Sequence, residues 1–114
     1  MKIQKFEDII AWQKAQDFTV ELYDIFRDSK DFGFKDQILR AAVSISNNIA
    51  EGFDRGSDPQ FAHFLYIAIG SSSEVRSMLY LAMRLKYIDK TQRDDLLDKS
   101  NEIWRIIRGL IKSL

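Results

Sequence analysis

Residues 37–52, QILRAAVSISNNIAEG, constrain the fold of this 114-residue chain more than any other segment. Small or branched apolar residues recur along it at helical spacing, with polar residues three to four positions apart. Small side chains allow neighbouring backbones to approach closely, so the pattern predicts a helix at a crowded packing site rather than one that only faces solvent. The apolar positions are Ala41, Ala42, Val43, Ile45, Ile49 and Ala50, and the polar ones are Arg40, Ser44, Asn47, Asn48, Glu51 and Arg55.

Apolar periodicity and turn residues predict four helices within one domain, residues 1–114. The predicted helices cover about residues 7–28, 35–53, 59–85 and 91–114. The clearest break is 52–59, with two glycines and the only proline, where Asp58 before Pro59 is expected to cap the third helix. Gly70 and Ser71 to Ser73 interrupt the bulky residues of the third helix, which predicts a close helix crossing. The expected buried stripe of that helix is Phe61, Phe64, Leu65, Ala68, Val75, Met78, Leu79, Ala82 and Leu85.

Short connections favour antiparallel neighbours, so the predicted fold is all-α, an up-down-up-down four-helix bundle. A third helix of some 27 residues is about 40 Å long, and the bundle should be elongated. The apolar stripes look wider than one isolated bundle needs, which predicts self-association. Aromatic residues stand at or near the borders of these stripes: Trp12, Tyr23, Tyr66, Tyr80, Tyr87 and Trp104.

The composition excludes several classes of chemistry. The chain has no cysteine, which removes disulfides, thiolate zinc sites and cysteine nucleophiles. His63 is the only histidine, no phosphate-binding glycine loop is present, and no catalytic or metal-ligating constellation stands out, so neither a cofactor nor enzymatic activity is expected. The sequence has no signal-peptide pattern and no apolar run of membrane-spanning length, so a soluble, cytoplasmic protein without membrane contact is expected.

Two charged ridges stand out although the net charge is zero, with 17 basic and 17 acidic residues. Asp17, Glu21, Asp24 and Asp28 form an acidic ridge on the first helix. The fourth helix carries a basic ridge at the same spacing: Arg105, Arg108 and Lys112, preceded by Asn101. Three interpretations stay open. The ridges are solvated faces of little energetic effect, they meet in a head-to-tail contact between copies, or the basic ridge binds phosphates.

A second basic pattern lies on the third helix, where Arg76, Tyr80, Arg84 and Tyr87 alternate cations with aromatic rings at helical spacing. Stacking together with positive charge suits single-stranded nucleic acid. The same residue types are enriched at protein interfaces, and the interface interpretation is favoured.

Four further polar residues, Arg40, Asn48, Glu51 and Glu74, are candidates for a buried or half-buried network that fixes the register of the helices. As a catalytic group they are unconvincing, because no nucleophile accompanies them.

Three segments resemble the bacterial four-helix bundle proteins of the 23S rRNA intervening-sequence family: FEDIIAWQKAQDFTVELYDIF, QILRAAVSISNNIAEGFDRGS and FAHFLYIAIGSSSEVRSMLYLAMRLKYI. The resemblance implies a homopentameric bundle with no established catalytic residues. The family is similar in fold to the accessory proteins of diversity-generating retroelements, basic pentamers that engage nucleic acid, from which this neutral chain departs. The residues that match the family motif, for which the resemblance implies packing or subunit contacts, are Arg40, Asn48, Glu51, Gly52, Arg55 and Glu74.

Two functions are therefore expected to compete. The first is a non-enzymatic, ring-forming bundle associated with RNA or DNA. The second is a protein-binding or scaffold module without nucleic acid. The candidate contact residues, for nucleic acid in the first case and for subunits in the second, are Arg76, Arg84, Arg105, Arg108 and Lys112.

Overall fold

The computed structural model describes residues 3–114, and this part of the chain folds into four α-helices without a β-strand. The all-α class is thereby confirmed. A short 3-10 turn precedes the first helix, and the molecule measures 43 × 22 × 19 Å, about twice as long as it is wide. The helices are α1 (Ile10–Phe26), α2 (Phe32–Asp54), α3 (Asp58–Arg84) and α4 (Lys90–Lys112).

Helix α1 begins later than the predicted residue 7. The chain makes a separate 3-10 turn at Phe6–Asp8 and then passes through Ile9 in an extended conformation, with φ −77° and ψ 119°. Ile9 is almost fully buried, so the break places an apolar side chain in the core that a continuous helix would direct elsewhere. Helix α1 also ends at Phe26, before the predicted Asp28.

Short polar side chains determine where the other helices begin. Asp31 accepts a hydrogen bond from the backbone N–H of Phe34 at 3.1 Å, so α2 begins at Phe32 rather than at residue 35. Asp89 and Gln92 form a reciprocal capping box at the start of α4. Each cap satisfies amide groups that have no partner inside the helix.

The predicted cap of α3 is wrong by one residue. Ser57, not Asp58, is the N-cap, and its hydroxyl accepts a hydrogen bond from the backbone N–H of Gln60. Asp58 instead occupies the first turn, where a carboxylate interacts favourably with the positive end of the helix dipole.

The C-terminus of α3 changes the position of one predicted site residue. Lys86 has a left-handed backbone, with φ 65°, and the N–H of Tyr87 returns to the carbonyl of Ala82 at 2.9 Å. This reversal ends the helix at Arg84, so Tyr87 does not continue the pattern of Arg76, Tyr80 and Arg84 as the sequence predicts.

Neighbouring helices run in opposite directions, since residue numbers rise in one helix as they fall in the other. Helices adjacent in sequence pack together, and α1 also packs against α4, whereas the backbones of α1 and α3 do not approach each other closely within residues 3–114. This is the contact pattern of an up-down bundle. The hydrogen-bonded or ion pairs that define it are Gln16–Ser46 and Thr19–Ala42 for α1–α2, Gln37–Glu74 and Ser44–Ser71 for α2–α3, and Lys14–Glu102 and Glu21–Lys99 for α1–α4.

The core confirms the crowded packing predicted for α2. A Cβ atom on Gly52 would collide with the Cβ of Phe64 and lie 3.1 Å from its Cγ, so only glycine fits where α2 crosses α3. The predicted close crossing at Gly70 and Ser71 to Ser73 is confirmed for Ser71, which bonds to Ser44 on α2, and for Ser72, which is buried against Ser100 on α4. It is wrong for Gly70, which is exposed and where a Cβ would meet nothing within 4 Å. Leu85, predicted for the core, is 44% exposed beside the end of α3.

Candidate functional site

The residues of the family motif lie along the seam between α2 and α3. At its centre the amide of Asn48 donates to the backbone carbonyl of Ser44 at 2.7 Å and to its hydroxyl at 2.8 Å. The hydroxyl of Ser71 donates to the same Ser44 hydroxyl at 2.9 Å. The bond between Ser71 and Ser44 joins the two helices at a point where both carry small side chains.

Toward the N-terminus of α2, the seam opens into a groove of about 390 Å³. Gln37 donates to Glu74 across it at 3.2 Å, and Arg40 lies on its wall with an exposed side chain. Toward the other end, Arg55 pairs with Glu51 at 3.0 Å, and its guanidinium lies 4.9 Å from the centre of the Phe64 ring.

These residues do not form the single network that the sequence predicts. Arg40, Glu51 and Glu74 are exposed and only Asn48 is half-buried. Asn48 bonds to Ser44, Glu51 pairs with Arg55 and Glu74 accepts from Gln37, so the groups are spread along one seam of the bundle instead of converging in its interior. The exposed members are free to contact another molecule, so their role in subunit contacts stays a prediction.

The four residues of the aromatic–basic pattern that begins on α3 also lie in different environments. Arg76 is half-buried, and its Nε is a buried donor without a hydrogen-bond partner among the described residues. Tyr80 is exposed and lies under the guanidinium of Arg93, 5.6 Å from it, while Arg84 is exposed. Tyr87, beyond the helix, donates its hydroxyl to Asp31 at 2.6 Å. The four side chains therefore do not present one continuous surface.

The hydrogen bond of Tyr87 affects both of its partners. It lowers the pKa of Asp31, whose carboxylate also accepts from the Phe34 N–H, and it raises the pKa of Tyr87. The bond ties the α3–α4 connection to the start of α2, so Tyr87 serves the fold and is less suited to stacking on a base.

The basic ridge of α4 is formed as predicted and is accessible. Arg105, Arg108 and Lys112 are exposed, and within residues 3–114 none of them forms a salt bridge. The guanidinium of Arg108 lies 5.6 Å from the ring of Trp104, so an aromatic surface accompanies the charges. The N-terminal half of the same helix balances its three cations, Lys90, Arg93 and Lys99, with Asp94, Asp95 and Asp98, so the net positive charge of α4 lies in its C-terminal half.

The acidic ridge of α1 is partly neutralised within the chain. Glu21 accepts from Lys99 at 2.7 Å, and Asp24 pairs with Arg27 at 3.1 Å. Hydrogen bonds to Glu21, and then to Asp95, raise the pKa of Lys99. The Glu21–Lys99 pair and the Lys14–Glu102 pair border a groove of about 270 Å³ between α1 and α4. Its lining residues are Lys14, Asp17, Phe18, Glu21, Lys99, Glu102 and Ile103.

Large apolar side chains are exposed on α1 and α3, and only the tyrosines among them were singled out from the sequence. On α1 they are Ile10, Val20 and Tyr23, and on α3 they are Tyr66, Ile67, Tyr80 and Leu81. The wide stripes and border aromatics indicated surplus apolar surface. They did not reveal that Val20, Ile67 and Leu81 are exposed. Helical periodicity shows that a residue belongs to a wide apolar stripe, but it does not show whether a neighbouring helix covers that residue.

The single histidine, His63, lies on the surface of α3. It is exposed and packs edge-on against Phe64, with 5.7 Å between ring centres. Across residues 3–114, no group of three or more potential ligand side chains is arranged to hold a metal ion. None of the helices in this range is both long and apolar enough to span a membrane.

Comparison with known proteins places this architecture in a family. The family model for the 23S rRNA-intervening sequence protein matches residues 7–109. The chain belongs to this family. The match covers all of α1, α2 and α3 and most of α4, so the resemblance predicted from the three sequence segments is confirmed.

A solved structure supports the assignment to the 23S rRNA-intervening sequence protein family. A protein of unknown function from the S23 ribosomal protein family of Bacteroides thetaiotaomicron VPI-5482 is similar, with 30% identity and a TM-score of 0.83. The similarity covers 90% of this chain and 99% of that one. The comparison with curated proteins gave no match.

Proposed function

We propose that the chain is a non-enzymatic, cytoplasmic helical module that assembles with copies of itself into a closed ring, a homopentamer. The observation that carries this proposal is the exposure of large apolar side chains on α1 and α3, above all Tyr66, Tyr80 and Leu81 on one side of α3. Contiguous exposed apolar surface is costly in water and usually marks an interface. The family resemblance supports the same assembly.

The ring associates with RNA or DNA through the basic ridge of α4. Arg105, Arg108 and Lys112 are exposed and follow one face of the helix, and the indole of Trp104 offers a stacking surface beside Arg108. Clustered cations with an aromatic ring suit a flexible, single-stranded phosphate backbone. The family name refers to an insertion in 23S rRNA, which favours RNA as the first ligand to test.

The remaining two candidate cations contribute less. Arg84 lies at the opposite end of the molecule from the C-terminal half of α4, and Arg76 is half-buried against the bundle. A nucleic acid seated on the basic ridge therefore does not need either residue.

Fluorescence anisotropy with labelled structured RNA and single-stranded DNA, titrated across a salt series, tests nucleic-acid binding. The double variant Arg105→Glu/Arg108→Glu should weaken binding strongly at low salt. On a single strand it should reduce the slope of log affinity against log salt by about 0.7 for each phosphate that the variant no longer neutralises. The control Lys30→Glu/Lys90→Glu makes the same change of charge at exposed positions near the other end of the bundle.

The alternative function is a scaffold that binds only proteins. It is favoured by the zero net charge and by the carboxylates that precede the basic ridge on α4. In that case the basic ridge takes part in subunit contacts, and Arg105→Glu/Arg108→Glu should dissociate the oligomer. Absence of nucleic-acid binding by the wild-type chain even at low salt would select this alternative.

A further inference from the structure

One buried hydrogen-bond donor on α3 has no partner. Among the buried and half-buried side chains of residues 3–114, only the Nε atom of Arg76 is both shielded from solvent and without a hydrogen bond. The side chain as a whole is half-buried, and its guanidinium forms no salt bridge within this range. A buried donor without an acceptor and a partly desolvated cation without a countercharge both cost free energy. An anionic acceptor bound at Arg76 would remove both costs.

Two contacts between α3 and α4 show where Arg76 lies. The buried hydroxyls of Ser72 and Ser100 are 3.5 Å apart. Farther along the seam, the guanidinium of Arg93 lies 5.6 Å from the centre of the Tyr80 ring. Arg76 is four residues from Ser72 and four from Tyr80, about 6 Å along the helix in each direction. It therefore lies midway between the two contacts, on the side of α3 that faces α4.

The neighbours of Arg76 on its own helix add hydroxyl donors. Ser73 stands three residues before it and Tyr80 four residues after it, the spacings at which side chains of a helix are adjacent. Both side chains are exposed, so their hydroxyls are accessible to a ligand. The acidic residue of this stretch, Glu74, is turned toward α2, where it accepts a hydrogen bond from Gln37. The surroundings of Arg76 on α3 therefore offer donors and no carboxylate.

The second arginine of the seam, Arg93, already has a countercharge. Its side chain is only 17% exposed, and its guanidinium lies 2.9 Å from the carboxylate of Asp94. The Nε of Arg93 donates to the same carboxylate at 3.0 Å. Asp94 is thus engaged by its own sequence neighbour, and Arg76 is left as the cation of this seam without a carboxylate.

The free donors of Arg76 suit an oxyanion. A guanidinium binds such groups through two parallel N–H donors, and Nε with one Nη is a pair of this kind. Because the Nε of Arg76 has no partner within the described chain, this pair is available. A phosphate group has enough oxygen atoms to accept from both donors and from the hydroxyls of Ser73 and Tyr80 as well. We infer that Arg76, Ser73 and Tyr80 form a binding site for a phosphate group on the α3–α4 seam.

The inferred site is separate from the basic ridge of α4. The two contacts of the seam place Arg76 opposite residues 96–97 of α4, about 12 Å along the helix from Arg105. A phosphate at Arg76 belongs either to a small phosphorylated compound or to a strand whose other phosphates contact the ridge, and its chemistry is the same in both cases. The inference goes beyond the proposed function, since it does not require that the ridge binds nucleic acid.

Nuclear magnetic resonance of the arginine Nε–H groups tests the site directly. With inorganic phosphate titrated against chloride at constant ionic strength, the Nε–H signal of Arg76 should shift and saturate in the millimolar range. The signal of Arg84, an exposed arginine on the same helix, is the internal control and should move little. The variants Arg76→Lys and Arg84→Lys assign the two signals, because each removes one of them.

The same two variants measure what the guanidinium contributes. The backbone amides of Ser73 and Tyr80 report phosphate binding in a protein that lacks the Arg76 signal. Arg76→Lys retains the positive charge but not the paired donors, so phosphate should bind about tenfold more weakly. Arg84→Lys should bind phosphate as the wild-type chain does. Circular dichroism checks that helicity is unchanged.

Single-stranded RNA identifies the source of the phosphate. If RNA shifts the Arg76 signal in the wild-type chain and not in Arg105→Glu/Arg108→Glu, the phosphate belongs to a strand that also contacts the ridge. If inorganic phosphate shifts the signal and RNA does not, the phosphate belongs to a small phosphorylated compound. Either result supports the site.

Two results would overturn the inference. An Arg76 signal that responds to neither probe would do so, and it is the result expected if a carboxylate of a neighbouring copy already pairs with Arg76. Equal shifts of the Arg76 and Arg84 signals would do so as well, because phosphate would then be attracted by exposed charge alone. RNA binding that leaves the Arg76 signal unchanged would leave the proposed function intact, so the two failures are distinguishable.

Discussion

The α2–α3 seam and the α1–α4 seam close the same bundle by different physical means. At α2–α3 the backbones approach closely over Gly52, Ser44 and Ser71, and packing between helices is densest there. At α1–α4 the packing is sparsest, and two ion pairs bridge a groove whose floor is Phe18 and Ile103. Close packing thus joins α2 to α3, whereas ion pairs across a groove join α1 to α4.

This difference predicts which seam should respond to added side-chain atoms and which to changes of salt or pH. Tight packing leaves no room for added atoms, and its contribution to stability depends little on salt. Exposed ion pairs tolerate substitution but respond to salt and pH. Steric substitutions should therefore affect α2–α3, and changes in ionic conditions should affect α1–α4.

The largest effect is expected from Gly52→Ala. The added Cβ collides with Phe64, and overpacking of this kind costs about 1–3 kcal/mol of unfolding free energy. Gly109→Ala is the matched control. Its position is open, and alanine should stabilise the helix by up to about 1 kcal/mol. Urea unfolding of both variants at one protein concentration measures the difference, and equal effects of the two substitutions would contradict the tight crossing.

A smaller effect should follow Ser44→Ala. The substitution removes the hydroxyl that accepts from Asn48 and Ser71, and the unfolding free energy should fall by about 1 kcal/mol. Asn47→Ala, at an exposed neighbouring position on α2, should be neutral or slightly stabilising. Chemical denaturation compares them, and a neutral Ser44→Ala would show that water replaces the missing bonds.

On the other seam, Lys99→Met should cost less than about 1 kcal/mol at low salt. The substitution removes the cation that bridges Glu21 and Asp95. Its more diagnostic effect is on salt dependence, because the wild-type chain should lose more stability than Lys99→Met does as sodium chloride is raised. If the melting temperatures of the two proteins fell equally as salt was added, ion pairs would not be what joins α1 to α4.

The smallest effect concerns pH. Lys14 lowers the pKa of Glu102 below its ordinary 4.5, so this pair stabilises the fold above that value and its contribution is lost as pH falls through the lower folded-state pKa. The raised pKa of Lys99 acts in the opposite range, since its contribution is complete below about 10.5 and is lost only at higher pH. Thermal unfolding of Glu102→Gln should show a shallower loss of stability in acid than the wild-type chain does.

Much of the fold could be predicted from the sequence because local signals agree with tertiary packing. The apolar spacing of α1 and α2 and the break at Gly56 and Pro59 place the helices within a few residues. The caps at Asp31 and Asp89 were not predicted, and α2 therefore begins three residues before the predicted position. The left-handed Lys86 is not visible in the sequence either, because no glycine or asparagine marks that position.

The candidate site was less predictable for a physical reason. Spacing places Arg105, Arg108 and Lys112 on one face correctly, since a helix alone determines that. It does not determine whether Glu74 on α3 meets Arg40 or Glu51 on α2, because this depends on how the two helices cross. The outward orientation of Val20 and Leu81 likewise depends on which part of a wide apolar stripe the neighbouring helices cover.

Sedimentation equilibrium of the wild-type chain, across a range of protein concentrations, tests the central claim of self-assembly most directly. A single species with the mass of five chains, insensitive to dilution over the micromolar range, is the predicted result. A mass of 13.3 kDa at every concentration would contradict it, because the apolar faces of α1 and α3 would then remain exposed to water in the working protein.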